Sequence, residues 1–447
     1  MNAIIERFYD EDLAHASYAV LSDDEIVLID PARNPQPYYN FAKKNKANII
    51  AVIETHLHAD FVSCHLQIQK EKEAVIYASR FAEAKYPHIS FDQDDILAVG
   101  KIELKALNTP GHSPDSICIL LLDAKDTQQA VFTGDTLFVG DVGRPDLREE
   151  DGDLATQEKE MARQMYFSTR NVLMKLGKDV EVYPAHGAGS LCGKNISSDL
   201  SSTIGRELEE NSALQPMDEV TFVDFLLEDQ PFIPKYFKHD VSLNRNGADS
   251  FEESINSIPL AENESFQGGI AIIDARSQQE FKSGHHQGAV NIAAGGKFET
   301  WLGTIMPPNE PFYLVAENKD TLKELLKRAA KIGYEKNIQG TLIKSAKTTI
   351  REPQLDMNHF KSNKRDYQIL DVRNESELEN GKIFTDAIHI PLPELEDRFR
   401  EIVPKTPVVV HCSSGYRSAI AASLIKNLLP DTQVYDLGLN VKDFKSD

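Results

Sequence analysis

One segment occurs twice in the second half of this 447-residue chain, and the repeat limits the folds available there. The first copy begins with IIDAR at Ile272, and the second begins with ILDVR at Ile369. In both copies a glutamate, a glycine and a short apolar run follow at matching distances, with an offset of 97 to 98 residues. A solenoid repeat is much shorter, so this period indicates a duplicated domain.

Each copy carries two apolar runs of the kind that form buried parallel strands. They read IAIID and FYLVA in the first copy, and QILDV and VVVH in the second. Such runs predict a small α/β domain in each copy. Polar, loop-like stretches at Asn244–Ser254 and Lys344–Asp356 separate the parts of the chain. We therefore expect three domains, at residues 1–248, 249–352 and 353–447, which agrees with roughly 150 residues per domain.

Short apolar runs separated by turn signals fill the first half, and each run predicts a strand. The runs are Glu25–Asp30, Asn48–Ile53, Ala74–Tyr77, Ile102–Leu107, Ile117–Leu122 and Ala130–Thr133. Two later segments, 167–176 and 200–210, have the residue spacing of helices. Many strands followed by helices predict two packed sheets flanked by helices.

The composition excludes several classes of partner. Lys and Arg number 48 against 70 Asp and Glu, and the net charge of −22 disfavours binding to nucleic acid or to an anionic membrane surface. The sequence has no run of about 18 apolar residues and no basic N-terminal segment followed by an apolar core. Four widely spaced cysteines do not make a disulfide framework, which favours a reducing compartment. We expect a soluble cytoplasmic protein.

Histidines and aspartates recur at the ends of predicted strands in the first half. The set consists of His56, His58 and Asp60 in THLHAD, His112 in PGH, Asp135 in TGD and His186 in PAHG. A strand end presents side chains from a rigid support, and imidazole and carboxylate groups are metal ligands. The recurrence therefore predicts a metal site.

This ordered set resembles the metallo-β-lactamase superfamily, with its HxHxD, middle histidine, GD and late AHG. The resemblance spans about residues 1–240 and implies an αββα sandwich with a metal at the sheet edge. Within the superfamily, the segments THLHAD, NTPGHSPDS, TGDTLFVGDVGRPD and YPAHGAGSLCG resemble persulfide dioxygenases.

One position departs from the superfamily pattern. The residue after the aspartate of HxHxD is usually a histidine that serves a second metal, and here it is Phe61. Because a phenyl ring has no lone pair to donate, we expect a single metal ion and not a dinuclear zinc pair. Two imidazoles and one carboxylate leave open coordination positions on a metal ion, and this arrangement suits a non-heme Fe(II) ion that activates O₂.

The resemblance to persulfide dioxygenases also implies a role for each member of the set. It implies that one Fe(II) per chain is bound by His56, His112 and Asp135. It implies that His58, Asp60 and His186 orient those ligands and water.

Two further residues have open roles. Arg144, in VGRPD, is implied by the resemblance to hold a carboxylate of the thiol carrier, and it is equally suited to bond loop carbonyls as a structural arginine. Cys192 follows His186 by six residues. This cysteine either lies near the metal and carries sulfur, or is a buried inert thiol.

A cysteine loop follows the second apolar run of the second copy. The run VVVH precedes CSSGYR, from Cys412 to Arg417, and a helix is predicted over 418–429. Backbone N–H groups and the positive end of the helix dipole stabilise a thiolate there, and Arg417 adds positive charge. A CxxGxR loop suits a sulfurtransferase, and a longer loop suits a phosphatase. Together with the upstream DVR and AIHIP segments, the short loop resembles a rhodanese, which implies that Cys412 is the nucleophile.

The first copy has no such loop. The position that corresponds to Cys412 falls at residues 314–316, and no cysteine occurs between residues 193 and 411. This copy resembles a rhodanese without its nucleophile and cannot carry a persulfide. A spacer, docking or substrate-gating role stays open.

As a whole, the chain resembles persulfide dioxygenase–rhodanese fusions. The resemblance implies an α/β architecture in which a metallo-β-lactamase sandwich precedes two rhodanese-like domains. It implies that a low-molecular-weight thiol persulfide is oxidised with O₂ to sulfite, and that sulfur transfer through Cys412 to sulfite gives thiosulfate. Consumption of persulfides indicates sulfide detoxification. We also expect a homo-oligomer.

Two other functions compete with this one. A metal-dependent thioester hydrolase of the glyoxalase II type needs a metal-bound hydroxide, usually between two metals, which Phe61 disfavours. A sensing or binding protein would need neither a complete metal triad nor an intact CxxGxR loop. The sequence leaves open whether glutathione, coenzyme A or another thiol carries the persulfide.

Overall fold

The fold is described from a computed structural model. It describes residues 3–147, 154–259, 266–343, 350–379 and 381–444. Residues 344–349 of the expected linker lie outside the described part. The chain divides into two compact units, one of Met1–Asn256 with Ala330–Gly333, and one of Ser257–Ala329 with Tyr334–Asp447.

The first unit contains two six-stranded sheets, ordered β1-β2-β3-β4-β5-β6 and β12-β11-β10-β9-β8-β7. The strands of the first sheet are β1 Ile4–Asp10, β2 His15–Ser22, β3 Glu25–Ile29, β4 Asn48–Ile53, β5 Val75–Ala78 and β6 Ile89–Ser90. Those of the second are β7 Ile96–Val99, β8 Ile102–Asn108, β9 Ile117–Leu122, β10 Gln128–Gly134, β11 Glu181–Pro184 and β12 Ser202–Thr203.

Helices cover the outer faces of both sheets. The helices described in this unit are α1 Gln36–Asn45, α2 His65–Lys72, α3 Leu154–Asn171, α4 Ile204–Glu210, α5 Glu219–Leu227, α6 Phe237–Asn246 and α7 Phe251–Asn256. Successive side chains of β2 point to opposite faces of the first sheet. Tyr18 and Val20 join the core between the two sheets, while Ala19 and Leu21 pack with residues of α1 and α2. The second sheet packs its outer face on α3, α4 and α5. The expected αββα sandwich is confirmed.

The predicted strands of the first half are present, with ends that differ by at most two residues. The helices differ more. The segment 167–176 is only the end of the longer helix α3 and a short turn after it, and α4 begins at Ile204 rather than at residue 200. The Thr203 hydroxyl accepts a hydrogen bond from the Arg206 N–H and so caps α4. Sequence periodicity alone does not locate such a cap.

The second unit contains two four-stranded parallel sheets, ordered β14-β13-β15-β16 and β18-β17-β19-β20. The strands are β13 Ala271–Asp274, β14 Ala289–Asn291, β15 Phe312–Ala316, β16 Ile338–Ile343, β17 Gln368–Asp371, β18 Ile388–His389, β19 Val408–His411 and β20 Val434–Asp436. The helices are α8 Gln278–Ser283, α9 Phe298–Ile305, α10 Lys319–Lys331, α11 Met357–Ser362, α12 Glu375–Glu379, α13 Leu395–Arg398 and α14 Tyr416–Leu428.

Each of the two copies of the repeat contains an equivalent buried ion pair. Arg276 binds both carboxylate oxygens of Asp274 and also donates to the Gly284 carbonyl. Arg373 does the same with Asp371 and Gly381. The repeated DxR segment therefore fixes the end of the central strand in each copy.

Strand register locates the position that corresponds to Cys412. Asp371 pairs with His411 in the second copy, and Asp274 pairs with Val315 in the first. The residue after Val315 is Ala316, which is buried at the end of β15. Ala316 therefore takes the place of the cysteine, inside the range 314–316 that the sequence predicts.

Among the residues that the structure describes, no helix is long and apolar enough to span a bilayer.

Candidate metal centre and sulfur-transfer loop

Three residues of the histidine–aspartate set converge in the first unit. His56 follows β4, His112 follows β8 and Asp135 follows β10, and all three are buried. The Oδ2 atom of Asp135 lies 3.5 Å from Nε2 of His112 and 3.9 Å from Nε2 of His56. Ligand atoms of these residues all lie within 4.8 Å of one another, so a single cation can contact all three.

Hydrogen bonds at Nδ1 orient both imidazoles. His112 Nδ1 donates to the Arg144 carbonyl at 2.9 Å. His56 Nδ1 lies 3.1 Å from Thr55 Oγ1, whose own proton is donated to Asp30 at 2.8 Å. The Nδ1 proton of His56 therefore points to the threonine oxygen, and the lone pair is on Nε2 in both rings. This is the tautomer that a metal ligand requires.

The surroundings of Asp135 fit a bound cation. Both of its carboxylate oxygens are buried without a hydrogen-bond partner, as is Nε2 of His186. A buried carboxylate that faces imidazole lone pairs is unfavourable, because no proton lies between the atoms. A divalent metal would remove this cost, and two imidazole nitrogens with one carboxylate oxygen suit iron or zinc.

A glycine permits the close approach of the ligand loops. A Cβ atom on Gly143 would lie 1.9 Å from the Asp135 carbonyl oxygen and 3.0 Å from His112 Nδ1. Any larger residue would push these two loops apart. The glycine of the VGRPD segment is thus required for the geometry of the centre.

Asp60, His186 and Cys192 form a second group beside the first. His186 Nε2 lies 3.4 Å from Asp60 Oδ2 and 3.4 Å from Asp135 Oδ1. Cys192 is buried and its sulfur lies within 4.8 Å of ligand atoms of Asp60 and His186. Burial and the charges of Asp60 and Asp135 raise the pKa of the Cys192 thiol well above its usual range. This cysteine is therefore a neutral thiol close to the centre.

His58 lies beside two carboxylates and also beside the centre, because its ligand atom is within 4.8 Å of those of Asp135 and His186. Its Nε2 atom lies 3.1 Å from Asp30 Oδ1 and 3.9 Å from Glu54 Oε2. Burial lowers its pKa, but the charge and hydrogen bond of Asp30 outweigh burial and raise the pKa to about 9. The division of the set into metal ligands and orienting residues stays a prediction, and His58 next to two carboxylates fits the orienting role.

The ring of Phe61 closes one side of the centre. Its centroid lies 3.8 Å from that of His15 and 4.4 Å from that of His58, and the ring is buried. Burial, followed by the neighbouring His186 and His58, lowers the pKa of His15 well below its usual range. The residue after the HxHxD aspartate is therefore a phenyl ring that packs against the His15 imidazole.

Two residues that the sequence did not single out hold the HxHxD loop. Asn244, on α6, donates from Nδ2 to the carbonyls of His58 and Phe61 at 2.8 Å each, and its Oδ1 accepts from the Ser63 N–H at 2.8 Å. Asp115 accepts from the Leu57 N–H at 2.8 Å. Asn244 lies more than 180 residues from the loop, and no local pattern marks it.

Arg144 is engaged within its own loop. The guanidinium is buried and donates to both Asp146 oxygens at 2.6 Å, and to the Leu191 carbonyl at 3.1 Å. These hydrogen bonds are those of a structural arginine, and the carrier-binding role of Arg144 stays a prediction.

The second site lies in the second unit, between β19 and α14. Cys412 Sγ accepts a hydrogen bond from the Gly415 N–H at 3.1 Å and lies 3.8 Å from Ser418 Oγ. Gly415 has φ +98°, and a Cβ on it would lie 3.0 Å from the backbone of Gly438. The tight loop therefore requires glycine here, and it directs an N–H group at the sulfur.

Arg417 is fixed by a carboxylate of the same domain. It donates to Glu377 through two nitrogens and to Ser413 Oγ at 2.6 Å. Burial alone would raise the pKa of Glu377, but the hydrogen bonds and charge of Arg417 lower it to about 2. The pair holds the loop between Cys412 and Arg417 in one conformation, with the positive charge next to the nucleophile position.

Comparisons with known proteins identify the two kinds of domain. The model of the metallo-beta-lactamase superfamily matches residues 10–186, and that of the rhodanese-like domain matches residues 259–340 and 357–442. A crystal structure of a metallo-beta-lactamase from Staphylococcus aureus subsp. aureus COL is 30% identical, with a TM-score of 0.71 over 77% of this chain and 100% of that one. The chain belongs to the metallo-β-lactamase superfamily and carries two rhodanese-like domains.

Curated relatives match part of the chain. Hydroxyacylglutathione hydrolase from Francisella philomiragia subsp. philomiragia is 27% identical over 180 residues, which is 40% of this chain and 65% of that protein. The cytoplasmic isozyme of hydroxyacylglutathione hydrolase from Saccharomyces cerevisiae is 28% identical over 219 residues, 45% of this chain and 74% of that protein. The chain thus spans somewhat less than two thirds of the first of these relatives.

Proposed function

We propose that the first unit is a persulfide dioxygenase with one Fe(II) and that the C-terminal domain is a sulfurtransferase. The observation that carries the proposal is Phe61, which stands where the superfamily pattern has a ligand for a second metal. His56, His112 and Asp135 together can hold one cation. The net reaction of the first site is RSSH + O₂ + H₂O → RSH + SO₃²⁻ + 2 H⁺. The metal-binding fold and the rhodanese-like domains in one chain support this pairing of reactions.

The residues of the first site hold and orient the reacting groups. In this proposal His56, His112 and Asp135 bind the iron, which when bound supplies the redox chemistry that lets O₂ oxidise sulfur. The reaction releases two protons, and the Asp60–His186 pair lies next to Asp135 to accept one. Burial raises the pKa of Asp60, which makes its carboxylate a better proton acceptor.

The residues of the second site move one sulfur atom without net oxidation. The Cys412 thiolate attacks the outer sulfur of RSSH, the new S–S bond forms, and RS⁻ leaves. Sulfite then attacks the outer sulfur on Cys412, which gives thiosulfate and returns the thiolate. The Gly415 N–H, 3.1 Å from the sulfur, and the charge of Arg417 stabilise the anion in each step.

A thioester hydrolase is the second candidate, because the curated relatives are named hydroxyacylglutathione hydrolases. Hydrolysis requires an activated water, which in this fold usually lies between two metals. The apolar ring of Phe61 and the cysteine loop of the second unit both favour the dioxygenase.

The deciding experiment compares two substrates on anaerobically purified protein of measured metal content. O₂ uptake and sulfite formation with glutathione persulfide, at one iron per chain, would support the proposal. Hydrolysis of a hydroxyacylglutathione thioester with two zinc ions per chain, without O₂ uptake, would establish the hydrolase instead.

The setting of this activity is also part of the proposal. Its partners are a low-molecular-weight thiol persulfide, O₂, sulfite and thiosulfate, and its role is sulfide detoxification in the cytoplasm. The net charge of −22 favours a protein that binds neither nucleic acid nor anionic membranes. The homo-oligomer stays a prediction, which size-exclusion chromatography with light scattering would test.

A further inference from the structure

An ion pair connects the two copies of the repeat beside the sulfur-transfer loop. Both copies belong to the same compact unit. Lys282, in α8 of the cysteine-less copy, has its Nζ atom 2.6 Å from Oδ2 of Asp436, the last residue of β20. Neither residue belongs to a motif found in the sequence, and the steps of sulfur transfer given above use neither of them.

Asp436 is joined to the nucleophile through one serine. Ser418, in the first turn of α14, donates its hydroxyl to Asp436 Oδ1 at 2.6 Å, and the same oxygen lies 3.8 Å from Cys412 Sγ. The carboxylate is therefore no further from the sulfur than the sum of these two distances, about 6.4 Å. A negative charge at such a distance opposes the anion that Cys412 carries as a thiolate or a persulfide.

The charge of Asp436 is buried, and its pairing depends on Lys282. The Asp436 side chain is 4% exposed. Its Oδ1 atom accepts hydrogen bonds from Ser418 and from the Gly438 N–H, the latter at 2.9 Å. Its Oδ2 atom is buried, and among the described residues its one cationic neighbour within salt-bridge distance is Lys282. Loss of Lys282 would leave a buried carboxylate without its counter-charge.

Other ionisable groups around this loop are held in clusters of their own. They are Arg417 with Glu377, Arg373 and His411 with Asp371, and Lys426 with Glu352. Each of these cations already has a carboxylate partner, so Lys282 is the cation that neutralises Asp436.

We propose that Lys282 is a positioning residue for sulfur transfer at Cys412. It neutralises Asp436, so that this carboxylate holds Ser418 beside the sulfur without opposing the charge of the Cys412 anion. The inference rests on the proposed sulfurtransferase activity, and it gives the cysteine-less copy a part in that activity. The copy needs no cysteine for this part, because its contribution is one positive charge on α8.

Two substitutions with opposite effects on charge separate this role from a structural one. Lys282→Met leaves the charge of Asp436 uncompensated, whereas Asp436→Asn removes that charge and leaves the lysine. The double variant has neither charge and keeps a side-chain oxygen that can accept from Ser418. Lys361→Met is the matched control, because Lys361 and Asp443 form a 2.8 Å ion pair of the C-terminal domain in which both side chains are about half exposed.

The first measurement is the rate at which iodoacetamide alkylates Cys412 in the full chain over a range of pH, with the labelled peptide quantified by mass spectrometry. The thiolate is the reactive form, so the midpoint of this curve reports the stability of the anion without turnover. Lys282→Met should move the midpoint up by about one pH unit, and Asp436→Asn should move it down. The double variant should return to within about a third of a unit of wild type.

The second measurement is sulfur transfer from thiosulfate to cyanide at a pH below the wild-type midpoint. The Cys412 thiolate attacks the outer sulfur of thiosulfate, an S–S bond forms and sulfite leaves. Cyanide then takes that sulfur as thiocyanate and returns the thiolate. We expect Lys282→Met to be about tenfold slower than wild type and the double variant to lie within about twofold of it. Lys361→Met should match wild type in both measurements.

The inference is overturned if both single substitutions move the alkylation midpoint in the same direction, or if the double variant does not recover, because the pair then acts through the fold. An unchanged midpoint in Lys282→Met overturns it as well. If Lys282→Met does not fold, the Asp436→Asn shift decides, and a downward shift is required. In all these cases sulfur transfer by the wild type leaves the proposed function intact. A wild type that is alkylated at Cys412 but transfers no sulfur from thiosulfate or glutathione persulfide contradicts the proposed function, and this inference with it.

Discussion

The side chain of Asn244 offers a direct test of how the metal loop is held. It makes three hydrogen bonds of 2.8 Å with the segment from His58 to Ser63, and it is buried. Asn244→Ala removes all three and leaves two carbonyls and one N–H without their partner. At about 1 kcal/mol for each bond, the loop should be destabilised by about 3 kcal/mol.

Amide hydrogen exchange measures this local stability. A loss of about 3 kcal/mol corresponds to exchange about a hundredfold faster for the amides of residues 57–63 in the metal-free protein. Asn246→Ala is the matched control on the same helix, because Asn246 is exposed and its side chain bonds only Ser242, one turn away. Its exchange should stay within about twofold of wild type.

Metal retention is the second measurement on the same pair of variants. Since the loop carries both His56 and Asp60, Asn244→Ala should retain less iron than Asn246→Ala after equal dialysis against a chelator. If the two variants exchange and retain metal alike, the hydrogen bonds of Asn244 do not support the loop, and the reasoning is refuted.

Four further predictions concern both sites. Anaerobically purified protein should hold about one iron per chain, and His112→Ala or Asp135→Ala should abolish iron content and O₂ uptake together, whereas two retained zinc ions would contradict this. Mass spectrometry should find no sulfane sulfur on residues 250–350, where the sequence has no cysteine. In the fold, the pKa of Glu377 falls from its usual 4.5 to about 2. Its carboxylate should therefore stabilise the fold above pH 4.5, and this stabilisation should be lost as the pH falls through 2. Glu377→Gln should flatten this dependence of stability on pH. Unfolding is monitored by the fluorescence of the chain's single tryptophan. Cys412→Ser should keep iron and O₂ uptake but shift the product from thiosulfate to sulfite, and unchanged thiosulfate formation would exclude Cys412 as the carrier.

Much of the fold could be predicted because burial leaves a clear local pattern. The strands β4 and β9 match the apolar runs Asn48–Ile53 and Ile117–Leu122 residue for residue. Each strand is packed on both faces, and this burial requires apolar side chains on both faces. The helices were harder to predict. Much of α3 is polar, and only a narrow stripe that includes Ala162 and Met165 enters the core.

The candidate metal site was predictable in its members but not in its supports. His56, His112 and Asp135 follow strands, so their motifs can be found along the sequence. Asn244 and Asp30 act through contacts with residues far away in the chain, and an asparagine on a helix looks like any surface residue. Arg144 shows the same limit, because the sequence alone leaves open whether the Asp146 carboxylate binds its guanidinium.

A comparison of the two copies of the repeat distinguishes the residues that the rhodanese-like fold needs from those that sulfur transfer needs. The ion pair of Asp274 with Arg276 is retained in a copy whose nucleophile position is Ala316, so the DxR segment stabilises the fold and does not mark activity. What the cysteine-less copy adds must then come from its contacts. Gln278 donates to Gly415, the residue that binds the sulfur of Cys412, and this contact places the copy at the nucleophile loop. The cysteine-less copy is therefore in direct contact with the loop that carries Cys412.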